Sequence, residues 1–120
     1  MLFKSAGLLT KLIVPDNTAV VAGESTSLHC VSNSSTLSWA SSPNGLPPYD
    51  RLVSDCELNP AFEDRYGLDN VGPHRCDLVL LHATVAHAIM HHCFETTGFD
   101  PAASVMIAVL GALKGDVFAV

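Results

Sequence analysis

The sequence predicts an all-β domain built as a two-sheet sandwich, and three observations predict it. Short alternating apolar segments at 25–31, 36–40 and 76–81 recur along the chain, separated by Gly, Pro and Asn punctuation. A lone tryptophan, Trp39, stands between two widely separated cysteines, Cys30 and Cys93. Apolar residues make up 48% of the 120 residues and charged ones 15%, enough for one core and too apolar for disorder.

Residues 7–14 read as a first edge strand, which Pro15 ends because it offers no ladder donor. Thr18-Ala19-Val20-Val21-Ala22 is a β-branched run closed by the turn Gly23-Glu24. In 25–31 the period of two directs Leu28 and Cys30 inward and His29 and Val31 outward. A polar loop, Ser32-Asn33-Ser34-Ser35, precedes a third strand at 36–40 with Leu37 and Trp39 on its inner face. Asn33-Ser34-Ser35 is an N-glycosylation acceptor in a secreted protein, and a bare solvated loop otherwise.

Pro43-Asn44-Gly45 signals a hairpin. Residues 46–56 return as a strand broken by Pro47-Pro48, and 57–63 read as a loop. A strand opens at Arg65-Tyr66, and Asn70-Val71-Gly72-Pro73 turns the chain. In 76–81, Leu78 and Leu80 face the core while Asp77 and Val79 face away. The last strand, 102–110, is apolar on both faces: Val105, Ile107 and Val109 on one, Met106, Ala108 and Leu110 on the other. A sandwich covers only one of those faces, so the second calls for a partner.

The net charge of −6 argues against nucleic acid and anionic membrane surfaces as partners. Apolar runs are too short to span a bilayer, and no complete signal peptide is visible, so the chain reads as an excised or mature ectodomain. Four cysteines point to two disulfides and an oxidising compartment, with three pairings open.

Gly23-Glu24, Cys30, Trp39, Arg65-Tyr66, Leu78-x-Leu80 and Cys93 together resemble the V-type domains of the immunoglobulin superfamily over about residues 8–110. The resemblance implies a Greek-key sandwich as a single domain, 1–120, with 111–120 as strand extension or linker. It implies a Cys30–Cys93 bridge between the sheets with Trp39 packed on it, leaving Cys56–Cys76 as a second staple within or beside one sheet. The motif Asp-x-Gly-x-Tyr-x-Cys is replaced by His87-Ala88-Ile89-Met90-His91-His92-Cys93. His91 stands where a tyrosine ties the corner, and His87 where an aspartate pairs with Arg65. The joining motif Phe-Gly-x-Gly is absent, which separates the chain from antigen-receptor variable regions.

By that resemblance the chain is expected to be an extracellular recognition or adhesion module of the immune-receptor kind, not an enzyme. Gly98, Phe99 and Asp100, in the position of the third hypervariable loop, form one expected binding element. Met106 and Leu110 on the front sheet (strands C, F and G) form the other, for a protein partner or a second copy. No cofactor is expected. The alternative is a histidine-rich metal-binding protein or enzyme using the 82–92 segment. As a helix, 83–93 would set His87 and His91 four residues apart on one face, as metal-ligand pairs require. As a strand, His91 points inward with Cys93 while Met90 and His92 point outward.

Overall fold

In the computed structural model the described residues are 17–32, 36–96 and 102–111. They form nine strands: β1 (Asn17–Val21), β2 (Thr26–Leu28), β3 (Leu37–Ser42), β4 (Asp50–Ser54), β5 (Glu57–Leu58), β6 (Tyr66–Gly72), β7 (Arg75–Leu80), β8 (Met90–Glu95) and β9 (Ala102–Leu110). Short 3-10 turns occupy Pro60–Phe62 and Val85–His87, and no α-helix occurs among the described residues. The expected edge strand at 7–14, Asn33, and Gly98, Phe99 and Asp100 lie outside the described residues.

The strands divide into a six-stranded sheet, β1-β9-β8-β3-β4-β5, and a three-stranded sheet, β2-β7-β6. β1 runs parallel to β9, Asn17 opposite Met106 through Val21 opposite Leu110. The other paired strands are antiparallel. Parallel neighbours need a long return, and here almost the whole chain lies between them. The chain changes sheet between β1 and β2, β2 and β3, β5 and β6, and β7 and β8.

Both sheets fill one core. Leu28, Leu78 and Leu80 come from the small sheet, and Leu37, Trp39, Leu52, Val53, Val105, Ile107 and Val109 from the large one. The period of two makes this happen: on β9 the odd residues from Val105 to Val109 are buried, while Met106 and Leu110 are exposed. Trp39 is fully buried, and its indole N–H donates to the Cys76 carbonyl at 2.9 Å, which satisfies its polar atom inside the core.

Cys30 bonds to Cys93 across 63 residues of chain, and Cys56 bonds to Cys76 across 20. The second bridge corrects the expectation of a staple within or beside one sheet. It runs from the β4–β5 turn of the large sheet to β7 of the small one. Both bridges therefore join the layers, and Trp39 touches each. It pairs in register with Cys93 and bonds to the Cys76 carbonyl.

Three local expectations change. The strand at 46–56 shrinks to β4, because Leu46 is exposed and Pro47-Pro48, joined by a cis peptide, cannot enter a ladder. The expected loop at 57–63 begins with a strand. Asp55 and Cys56 both take left-handed backbone, φ 54° each, which makes the tight turn from β4 into β5. Cys56 N–H bonds to the Leu37 carbonyl and Asp55 N–H to Ser38 Oγ, so contacts with β3 hold that turn. Lastly β6 continues through Gly72, and the chain reverses at Pro73-His74.

Candidate recognition face

The outer face of the six-stranded sheet is built by cross-strand neighbours. Met106 pairs with Met90, Ser104 with His92, His92 with Ala40, and Phe94 with Ser38, so these side chains share one side. Met106 is 39% exposed and Leu110 40%, four residues apart on the same side of β9, with half-buried Ala108 between them. The two expected contact residues of the front sheet thus lie together.

The centre of this face is occupied by satisfied polar groups. His92 is buried although it points away from the core: Ser42 Oγ lies 3.0 Å from its Nε2 and Ser104 Oγ 2.7 Å from its Nδ1. Tyr49 meets its ring edge-on at 5.5 Å. Burial lowers the His92 pKa, so the imidazole is neutral near pH 7. Arg51 lays its guanidinium 4.9 Å over the Phe94 ring, its Nη1 donating to Ser54. This part of the face combines an uncharged imidazole, a cation stacked on an aromatic ring, and two exposed apolar side chains on β9.

The 82–92 segment is not a helix, which corrects the arrangement that a metal pair would need. Thr84 caps the 3-10 turn, accepting Ala86 N–H on its hydroxyl, and from Met90 the chain is β8. His87 Nδ1 accepts the Thr84 N–H at 3.1 Å, which makes Nε2 the protonated nitrogen, donating to the Arg65 carbonyl at 3.0 Å. His87 thus meets the backbone of Arg65 and not its charge: the Arg65 guanidinium packs over Phe62 at 5.2 Å and pairs with Asp64, Nε to Oδ1 3.9 Å.

His91 points inward and is fully buried. Its Nδ1–H donates to the Ile89 carbonyl at 3.1 Å, leaving Nε2 to accept the Tyr66 hydroxyl at 2.8 Å. Burial pushes its pKa down to about 4, and burial likewise raises that of Tyr66 above its usual value. The corner is therefore tied from the opposite side, by a tyrosine on β6 and a histidine on β8. Among the described residues no group of three or more His, Cys, Asp or Glu is placed to hold a metal ion.

A second polar cluster escaped the sequence reading. Asp77 sits on the outward-pointing side of β7, yet its side chain is fully buried. It accepts from Arg75 Nη2 at 3.0 Å, Asn70 Nδ2 at 2.8 Å and the Cys30 N–H at 3.3 Å, with His29 Nδ1 at 2.8 Å. Burial alone would raise the carboxyl pKa. The hydrogen bonds from Arg75, Asn70, His29 and the Cys30 backbone outweigh it and hold the group below the usual carboxylate range. Opposite charges two residues apart on one strand were the available signal, since the period of two sets Arg75 and Asp77 on the same side of β7.

No helix among the described residues is long and apolar enough to cross a membrane. The two disulfides suggest an oxidising, extracellular environment. Two sheets, two bridges and a buried tryptophan are compatible with an immunoglobulin-like fold. A scan against protein-family models matches none, and a search of curated proteins returns no match.

Proposed function

We propose that this chain is a V-type immunoglobulin-like recognition module that binds a protein partner outside the cell rather than catalysing a reaction. Strand order supports the V-type reading. The sequence β1-β9-β8-β3-β4-β5 over β2-β7-β6 follows the arrangement in which two extra strands extend the C–F–G sheet and the first strand joins the last in parallel. The four changes of sheet fit Greek-key connectivity.

The observation that carries the recognition role is the outer face of β9. Met106 and Leu110 stay about two-fifths exposed beside the polar His92 centre, an apolar edge next to groups already satisfied within the sheet. Desolvating such a face costs little, because its central donors and acceptors are paired before a partner arrives. A second copy of the chain is the simplest partner, since a symmetric contact sets the outer face of each β9 against the same face of its neighbour.

Sedimentation equilibrium of the disulfide-intact chain over a concentration series tests this. The expected result is a monomer–dimer equilibrium that Met106→Glu weakens by at least about tenfold, a charge having been placed in an apolar contact. A monomer at all concentrations would remove self-recognition. A dimer equally strong in Met106→Glu and Leu110→Glu would remove this face as the contact.

A further inference from the structure

His91 and His87 flank the ring of Tyr66, their centroids 5.6 and 5.0 Å from it. All three residues are buried, and the two imidazoles have both nitrogens engaged. A second proton on His91 Nε2 would point at the Tyr66 O–H, which would have to swing its hydrogen away into a core lined by apolar groups. His87 closes the same corner through its bonds to the Thr84 N–H and the Arg65 carbonyl. The cationic form of His91 does not fit that closed corner.

We propose that Tyr66, His87 and His91 form an acid-released latch, which ties the connection between β7 and β8 to β6 at neutral pH and lets it open on mild acidification while both disulfides keep the sheets together. The carbonyls it uses are shared. Ile89 O accepts His91 Nδ1–H and also the Ile107 N–H of β9 at 3.3 Å, and Arg65 O accepts His87 Nε2–H and also the Leu81 N–H at 2.9 Å. Opening therefore loosens one bond on β9 and one at the end of β7. Cys93 lies two residues past His91, so the bridge to Cys30 limits how far the opening spreads.

The titratable groups that face His91 are Tyr66 from β6 and His87 from the 3-10 turn, and His92, on the other side of the sheet, is its neighbour along β8. Its register partners on β3 and β9, Ser41 and Val105, carry no charge. Arg65 and Asp50 act on Tyr66 with opposite signs. With nothing anionic against the imidazole, burial dominates and the folded pKa is about 4, below the ordinary 6.5. The closed form then binds fewer protons than the open one between those values. Its advantage is complete above pH 6.5 and declines as pH falls toward 4, so opening grows about 20-fold between pH 7 and pH 5.

Amide hydrogen exchange on the oxidised chain at pH 7 and pH 5, corrected for intrinsic rates, tests the latch. Protection at Ile107 and Leu81 should fall about 20-fold, while that at Leu78, paired by β2 and β6, holds. In His91→Gln, which can accept from Tyr66 but cannot titrate, the fall should shrink to a few-fold. Equal changes at all three amides, or none, would overturn the proposal. If the variant does not fold, proton NMR of the parent chain decides: a His91 ring titrating near 6.5 with protection unchanged overturns it, and one titrating near 4 only alongside loss of protection upholds it.

Discussion

Replacing Cys56 and Cys76 together by alanine tests how the second bridge stabilises the domain. The bridge closes a 20-residue loop inside the 63-residue loop closed by Cys30 and Cys93. On the chain-entropy model it contributes about 3 kcal/mol, and the outer bridge about 4. Nesting changes little, because short-circuiting the inner segment alters the outer loop's cost by only about 0.3 kcal/mol. Loss of sulfur beside the fully buried Trp39 adds on the order of 1 kcal/mol. The expected loss is about 4 kcal/mol, which lowers Tm by about 15 °C in a domain of this size. Calorimetry of the double variant beside Cys30→Ala/Cys93→Ala gives the comparison, the outer pair costing more. A Tm drop under about 4 °C, or an inner pair that costs more than the outer, would refute loop closure as the source of the stability.

Asp77→Ala removes the acceptor for Arg75, Asn70 and the buried Cys30 N–H, and should cost about 2–4 kcal/mol in urea unfolding. Because the Asp77 pKa is lowered in the fold, its contribution is complete above the unfolded carboxyl pKa and is lost as pH falls through the folded one. The parent should therefore lose stability below about pH 4 more steeply than the variant, and parallel acid curves would contradict this. Trp39→Phe strands the Cys76 carbonyl and leaves space between the bridges, for about 2 kcal/mol by the same assay; a loss below about 0.5 kcal/mol would mean that the indole N–H contact is immaterial.

The layered architecture was readable because the residues that set it act locally. Leu28 and Leu37 stand between polar neighbours and Trp39 and Leu78 each follow one, and that period determines which face is buried whatever the partner strand. The last strand was readable to its ends for a different reason, being one continuous apolar run between Pro101 and Gly111 in the sequence. What stayed hidden depends on residues far apart in the chain. Tyr66 and His91 are 25 residues apart, so the mismatch in the corner motif was visible while its replacement was not. Asp77 occupies an outward position and is buried because His29 just past β2, Asn70 on β6 and Arg75 on its own strand close over it. The turn at Asp55-Cys56 lacks the glycine or asparagine that usually announces left-handed backbone, and its support comes from Leu37 and Ser38. Asn44-Gly45 announced a hairpin and does lie between the antiparallel β3 and β4, but in a connection longer than two residues, where Asn44 accepts the Leu46 N–H.

Cys30, two residues past β2, and Cys76 on β7 are both buried and lie side by side, joined by a backbone bond of 3.2 Å from Cys76 N–H to the Cys30 carbonyl. During biosynthesis the nearest wrong partner for either thiol is therefore the other. Such a mispaired crosslink would tie one layer to itself and leave the opposite layer loose. Correct pairing then requires β8 and the Asp55-Cys56 turn to arrive before those two neighbours oxidise together, which ties the yield of correctly bridged protein to the order of events as well as to the final fold.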